Sequence, residues 1–153
     1  MNLNSKEIIN YLKLTPHPEG GYFKETYRSR ESIINSDLWD GAKGTRNYST
    51  AIYFMLEGQQ YSAFHKIKQD EIWHFYAGEA ILIHMINNNG IYQSVTIGNK
   101  INQAEYFQYV IPANTWFASE LKFKKGFSLC GCTVSPGFDF KDFEMPSRKY
   151  LIE

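Results

Sequence analysis

Neither sign of charge prevails in this sequence: Lys and Arg number 16, Asp and Glu number 16, and the formal net charge is zero. Surfaces that hold DNA, RNA or anionic membrane need a basic face. None is provided, so neither nucleic acid nor membrane is expected as a partner. Long apolar runs are missing too. No stretch approaches the roughly 20 apolar residues that span a bilayer. The opening MNLNSKEIIN has neither the apolar run nor the small-residue cleavage site of a secretory signal. The expected location is cytoplasmic. Cysteine is scarce, with Cys130 and Cys132 alone. They cannot make a disulfide framework, and side chains two apart on a strand diverge from disulfide geometry. No second pair is present to complete a zinc site. Both are read as buried thiols.

Aromatic residues are plentiful: 16% of the chain, with 11 Tyr and 11 Phe. They suit half-buried pleated surfaces and the walls of ligand pockets. The 153 residues are read as one domain, 1–153, long enough to bury roughly two-thirds of the unfolded surface.

The first element reads as a short helix. Asn4 can cap it, Glu7 follows three residues on, Ile8 and Leu12 recur at helical spacing, and Pro16 and Pro18 end it. Pro18-Glu19-Gly20-Gly21 reads as a turn. Tyr22 to Arg28 alternates, with Phe23, Glu25 and Tyr27 on one face. Residues 29–44 read as a long loop. Strands then follow at short intervals, over 48–56, 61–67, 71–76, 81–86, 91–97, 106–111, 115–120 and 126–134. Asn89-Gly90 marks a hairpin. The tail from Pro136, with Phe138, Phe140 and Phe143, reads as a short helix or an irregular apolar cover. Short strands with regular turn punctuation predict an all-β sandwich, jelly roll or barrel.

The stretch Gly58 to Gly78, GQQYSAFHKIKQDEIWHFYAG, places His65 six residues before Glu71 and closes on a glycine. It resembles the first cupin motif, which in metal cupins supplies two histidines on one strand and a glutamate on the next. Ile67 stands where the second histidine would. Pro112-Ala113-Asn114 resembles the turn of the second motif, with Asn114 in the glycine's place because it tolerates positive φ. Phe117 then takes the position of a third histidine. Two protein ligands hold a catalytic metal poorly. No metal or cofactor is therefore expected, and His65 with Glu71 is the one place a divalent ion would bind.

The wider sequence is similar to the cupin-5 branch of that superfamily. The resemblance rests on Pro18-Glu19-Gly20-Gly21-Tyr22, Glu25, Arg28 and Arg46. It continues through Ser62, Phe64-His65, Asp70-Glu71-Ile72-Trp73-His74, Gly78, Pro112, Trp116 and Gly131-Cys132-Thr133-Val134-Ser135-Pro136-Gly137-Phe138. It implies a cupin double-stranded β-helix (a jelly-roll barrel), a homodimer, and an internal pocket without an established substrate. Sugar-nucleotide 3,5-epimerases share that fold and use a histidine base, a supporting carboxylate and a tyrosine acid. Here His65, Glu71 and Tyr22 or Tyr53 would fill those roles.

The catalytic candidates are thus His65, Glu71 and Glu25. His65 and Glu71 are expected to meet inside the barrel, where a carboxylate would raise the basicity of the imidazole. Glu25 has two readings: an inward acid among rings, or a surface partner of Arg28. Tyr22, Arg46, Tyr48, Tyr53, Ser62, Trp73, His74, Trp116 and Phe117 are the ligand-binding candidates, with Arg46 read either as the binder of an anionic group or as the ion-pair partner of an Asp or Glu. His74 lies on the strand face opposite Glu71, Trp73 and Phe75. The expected function is metal-independent binding of a small molecule, with an epimerase or isomerase as the enzymatic form. The alternatives are a metal-dependent oxygenase or isomerase and a non-catalytic interaction or storage protein.

Overall fold

The computed structural model describes residues 4–34 and 37–146. One helix, α1 (Ser5–Leu12), opens the chain. Asn4 Oδ1 accepts from the Glu7 N–H at 3.0 Å and the Glu7 carboxylate accepts from the Asn4 N–H at 2.8 Å, a complete capping box. Lys13 ends the helix in the left-handed conformation.

Twelve strands follow among the described residues: β1 (Thr15–Pro16), β2 (Tyr22–Arg28), β3 (Ser32–Ile33), β4 (Arg46–Asn47), β5 (Thr50–Glu57), β6 (Tyr61–His65), β7 (Asp70–Gly78), β8 (Ile81–Ile86), β9 (Tyr92–Ile97), β10 (Gln108–Ile111), β11 (Trp116–Leu121) and β12 (Phe127–Ser135). They form an antiparallel six-stranded sheet in the order β1-β2-β5-β12-β7-β10 and a four-stranded sheet in the order β6-β11-β8-β9. The nine expected strands are all present. β3 lies in the segment read as a loop and pairs with β4, just beyond that segment, and β1 is a two-residue edge strand. The Asn89-Gly90 hairpin joins β8 to β9, and Asn114 does adopt positive φ, at 61°.

The core lies between the two sheets. Phe54, Trp73 and Cys130 from the larger sheet pack with Ile83, Met85, Ile97, Phe117 and Leu121 from the smaller one. The outer face of the larger sheet is covered by α1, whose Ile8 packs with Leu14 and Met55, flanked by Tyr22 and Tyr53. Alternation explains the division: Phe23 and Phe54 turn inward, so Tyr22 and Tyr53 turn out.

Two departures from simple alternation shape the barrel mouth. A register shift between Glu25 and Tyr27, a bulge in β2, sets Arg28 opposite Thr50. The inward series is therefore Phe23, Glu25, Arg28 rather than Phe23, Glu25, Tyr27, and Tyr27 is exposed. The segment between β6 and β7 passes from the smaller sheet to the larger one. β6 pairs with β11 and β7 with β12 and β10, so His65 and Glu71 are not on hydrogen-bonded neighbours.

Candidate functional site

The turn before β2 sets the geometry. The His17 N–H donates to the Gly21 carbonyl and the Gly20 N–H to the His17 carbonyl, both at 3.0 Å. Gly20 has φ of 113°, and a Cβ there would run into the Tyr61 carbonyl oxygen. Only glycine allows the turn to lie this close to β6. The Ala63 N–H fixes the approach by donating to the Glu19 carbonyl at 2.8 Å. Glu19 is thereby carried from a surface turn into the barrel mouth, where it is 8% exposed.

Its carboxyl meets two imidazoles. Glu19 Oε2 lies 3.0 Å from His65 Nε2 and 3.5 Å from His17 Nδ1. Their proton positions follow from their other partners. His65 Nδ1 lies 2.8 Å from the Ala63 carbonyl, which can only accept, so Nδ1 holds the proton. His17 Nδ1 accepts from the Glu19 N–H at 3.3 Å, so its lone pair is there. Burial lowers both histidines from 6.5 to about 4, so both are neutral at neutral pH. Glu19 Oε2 thus faces two lone pairs, an arrangement that requires a proton on Oε2. Burial, and then the neighbouring Glu71 carboxyl, raise the Glu19 pKa well above the usual range. Glu19 is a protonated acid donating to His65.

Glu71 enters the same space from β7. Burial pushes it up to about 7. Beside it the Cys132 thiol is held protonated by burial first and then by Glu71. Cys130 is buried, its pKa pushed up to about 12. Both cysteines are free, and neither offers a thiolate at neutral pH.

His17, Glu19, His65, Glu71 and Cys132 line a cavity of about 290 Å³ that also takes in Phe23, Phe54, Ile52, Ile67 and Val134. Phe138, Phe140 and Phe143, from the segment after β12, complete its wall. That segment is tied back from the far side. Arg46, 2% exposed, holds Asp142 through two hydrogen bonds of 2.6 Å, and Gln69 Nε2 donates to the same carboxylate at 2.8 Å. Lys66 pairs with Glu144 at 3.3 Å.

The candidates read from the sequence distribute unevenly over this geometry. His65, Glu71 and Glu25 do line the cavity. The partner of His65, however, is Glu19 and not Glu71, because β6 and β7 belong to different sheets. Glu25 follows its surface reading, bound bidentately by Arg28 at 3.0 and 2.7 Å at the cavity mouth. Phe117 lies beneath the His65 ring, 4.0 Å between centroids, as packing rather than wall. Trp73 and Ser62 are buried outside the lining. Arg46 is also outside it, its charge committed to Asp142. Tyr22 and Tyr53 pack under α1, so neither can act as an acid in the cavity. Tyr48 is exposed, and Trp116 stacks against the Lys66 ammonium at 4.6 Å. His74 lies on the other strand face, 3.1 Å from Thr133 Oγ1. Glu19, read as part of a turn, and His17, given no part in a site, are the residues that sequence reasoning missed. The paired glycines after Glu19 were the available signal, since they permit the close approach.

Comparison with known proteins agrees with the architecture. Residues 6–146 match the family described as "Cupin superfamily (DUF985)". The chain belongs to this cupin family. An uncharacterised protein of Saccharomyces cerevisiae, YML079W, is 35% identical over 150 residues, which covers 90% of the present chain and 72% of the yeast protein. Protein SO0799 of Shewanella oneidensis is similar over 99% of this chain and 89% of its own, with 35% identity and a TM-score of 0.87. A hypothetical protein from Leishmania major reaches a TM-score of 0.90 at 32% identity, covering 98% and 91% of the two chains. Oxalate decarboxylase of Bacillus subtilis shares the fold, with a TM-score of 0.58 at 13% identity over 83% of this chain and 28% of that one. No helix among the described residues is long and apolar enough to cross a membrane.

Many cupins hold a metal, so the donor set of this one must be tested for fit. Ile67 and Phe117 supply no ligand where the superfamily places histidines. Both nitrogens of His65 are engaged, one by Ala63 and one by Glu19. Among the described residues no three His, Cys, Asp or Glu side chains are disposed to hold an ion. The residues present do not fit a metal centre.

Proposed function

We propose that this cupin binds a small organic molecule in its cavity and moves a proton on it, as an isomerase of the epimerase or tautomerase class. The observation that carries the reading is the pairing of two unlike acids on one cavity wall. Glu19 is held protonated by burial and by two imidazole lone pairs, while Glu71 is pushed up to about 7. Environments that separate two carboxyls in this way assign one as acid and the other as base. Glu71 in its carboxylate form removes a proton from the ligand. Glu19 delivers one, and His65 orients it through Nε2 and keeps its own tautomer through Ala63. The chemistry needs no group beyond these side chains.

The ligand is not a sugar nucleotide. A diphosphate calls for free guanidinium or ammonium groups, and the Arg28 guanidinium on this wall is fully engaged by Glu25, Asn47 and the Phe138 carbonyl. The substrate is therefore a smaller molecule, in keeping with a cavity at the low end of the ~300–1,000 Å³ typical of such sites.

Incubating the protein in D2O with a panel of small carbonyl, hydroxy and amino compounds tests the reading. NMR should show deuterium entering one carbon of a bound compound at a rate proportional to protein. Tight binding with no exchange in any bound compound would make the protein a binding module instead.

The same reading includes a homodimer. The edge strand β10 carries exposed Val110, and exposed Tyr106 and Phe107 precede it. Apolar edges of this kind pair readily. Sedimentation at micromolar protein should give twice the chain mass, and a monomer alone would refute the dimer.

A further inference from the structure

The polar lining of the cavity becomes one-sided once each group's partner is identified. Its cationic side chain, Arg28, has every N–H engaged. Nε and Nη2 donate to Glu25 at 3.0 and 2.7 Å, Nη1 donates to Asn47 Oδ1 at 2.7 Å, and Nη1 and Nη2 each donate to the Phe138 carbonyl at 3.2 Å. His17 and His65 face Glu19. Glu71 is different. It is 8% exposed, it lines the cavity, and it has no ion-pair partner among the described residues. A carboxyl buried in this way lacks the compensating charge that buried acids normally keep.

The apolar lining has a matching character. Phe138, Phe140 and Phe143 meet one another near right angles: 81°, 75° and 74° between planes, with centroids 4.9, 6.3 and 5.8 Å apart. The Phe140 ring also lies 6.2 Å from that of His17, and the Phe143 ring 5.3 Å from that of His65, between centroids. Rings so arranged attract a positive head group through their negative faces and offer nothing to an anion.

We propose that the cavity's ligand is a small organic cation, an amine or quaternary ammonium on an apolar body, with its head group seated between Glu71 and the rings of Phe138, Phe140 and Phe143. The ligand supplies the charge that Glu71 lacks, and the rings replace the water its head group leaves behind. This inference rests on the small-molecule reading of the same cavity, not on the proton transfer.

Calorimetric titration with two matched series tests it. The first is benzylamine, benzyl alcohol and benzoate; the second is choline and its uncharged isostere 3,3-dimethylbutan-1-ol. Each cation is expected to bind roughly 30-fold or more tightly than its alcohol, the scale of a buried charge contact, and benzoate not at all. Glu71→Gln should reduce that preference to within about 3-fold. Phe140→Leu changes a half-exposed ring and so leaves the fold intact. It should weaken the cations about 3–10-fold and the alcohols by clearly less, so that the preference for the cation falls. Alcohols or benzoate binding as tightly as the cations would overturn the inference and leave the small-molecule reading in place. No binding across both series would also overturn it, while deuterium exchange into other compounds would still report on the proton chemistry separately. A divalent metal retained at one per chain through gel filtration would overturn both.

Discussion

Arg46→Met should lower the melting temperature by roughly 10 °C or more, because it leaves Asp142 buried without its cation. Breaking one side of a buried pair costs about 3–5 kcal/mol, and each kcal/mol is worth about 2–4 °C in a chain of this size. The pair qualifies as buried on both sides, with side chains 2% and 4% exposed. Arg46 further donates to the Lys43 and Thr45 carbonyls at 2.9 Å, so those acceptors lose a partner too. The consequence should reach the cavity. Asp142 anchors the segment that carries Phe138, Phe140 and Phe143 over the cavity, and 96 residues separate it from Arg46 along the chain. Limited proteolysis should therefore cut the variant first between residues 138 and 146, before the sheets open. The double variant Arg46→Met with Asp142→Leu should recover most of the stability, since both charges are then gone. A loss below ~1 kcal/mol for the single variant would place the pair with solvent-screened surface bridges and remove the anchoring role.

That clasp marks the limit of what the sequence reveals. Periodicity reports which face of a strand a side chain takes. On that basis it assigned His74 to the face opposite Glu71, while the resemblance to the cupin motifs placed His65 and Glu71 in the interior and Asn114 in a positive-φ turn. Regular short strands made an all-β sandwich, jelly roll or barrel legible, and the resemblance carried by an ordered series of matching residues narrowed it to a cupin. What periodicity cannot report is which strands become neighbours. The spacing of His65 and Glu71 invited a pairing across one hairpin, yet the chain changes sheets between them. The acid that does reach His65 comes from a turn 46 positions earlier, and only the paired glycines that follow it set Glu19 apart from an ordinary surface residue. A bulge is equally silent. One extra residue in β2 exchanged Tyr27 for Arg28 at the cavity mouth. Arg46 illustrates the same point from the other side: the sequence left it between an anionic ligand and an Asp or Glu partner, and only the fold identifies that partner as Asp142.

Glu71→Gln should abolish deuterium exchange by about 10²–10⁴-fold, the contribution of a positioned general base, while making the protein more stable at alkaline pH. The second expectation follows from linkage. Burial raises Glu71 from 4.5 to about 7, so between those values the folded state keeps a proton that the unfolded chain has released. Stability from this group is full below 4.5 and is lost as pH rises through 7, a change of about 3 kcal/mol. Glu19, also raised, acts with the same sign. The histidines act oppositely. His17 and His65 are lowered from 6.5 to about 4, so their contribution is present above 6.5 and lost as pH falls through 4. Between 4.5 and 6.5 the two effects oppose one another, and above 6.5 only the carboxyls continue to change. Thermal melts of the natural protein should therefore decline from pH 6.5 to 8. The glutamine variant should decline less and stand about 5–10 °C higher at pH 8. Parallel melting curves for the two proteins would refute the buried, proton-holding carboxyl, and undiminished exchange in the variant would move the base to another side chain. If both results hold, Glu71 is a residue that the fold would be more stable without. Such a carboxyl, kept beside a second one with no cation to pair it among the described residues, is a cost in stability of the kind that functional sites carry.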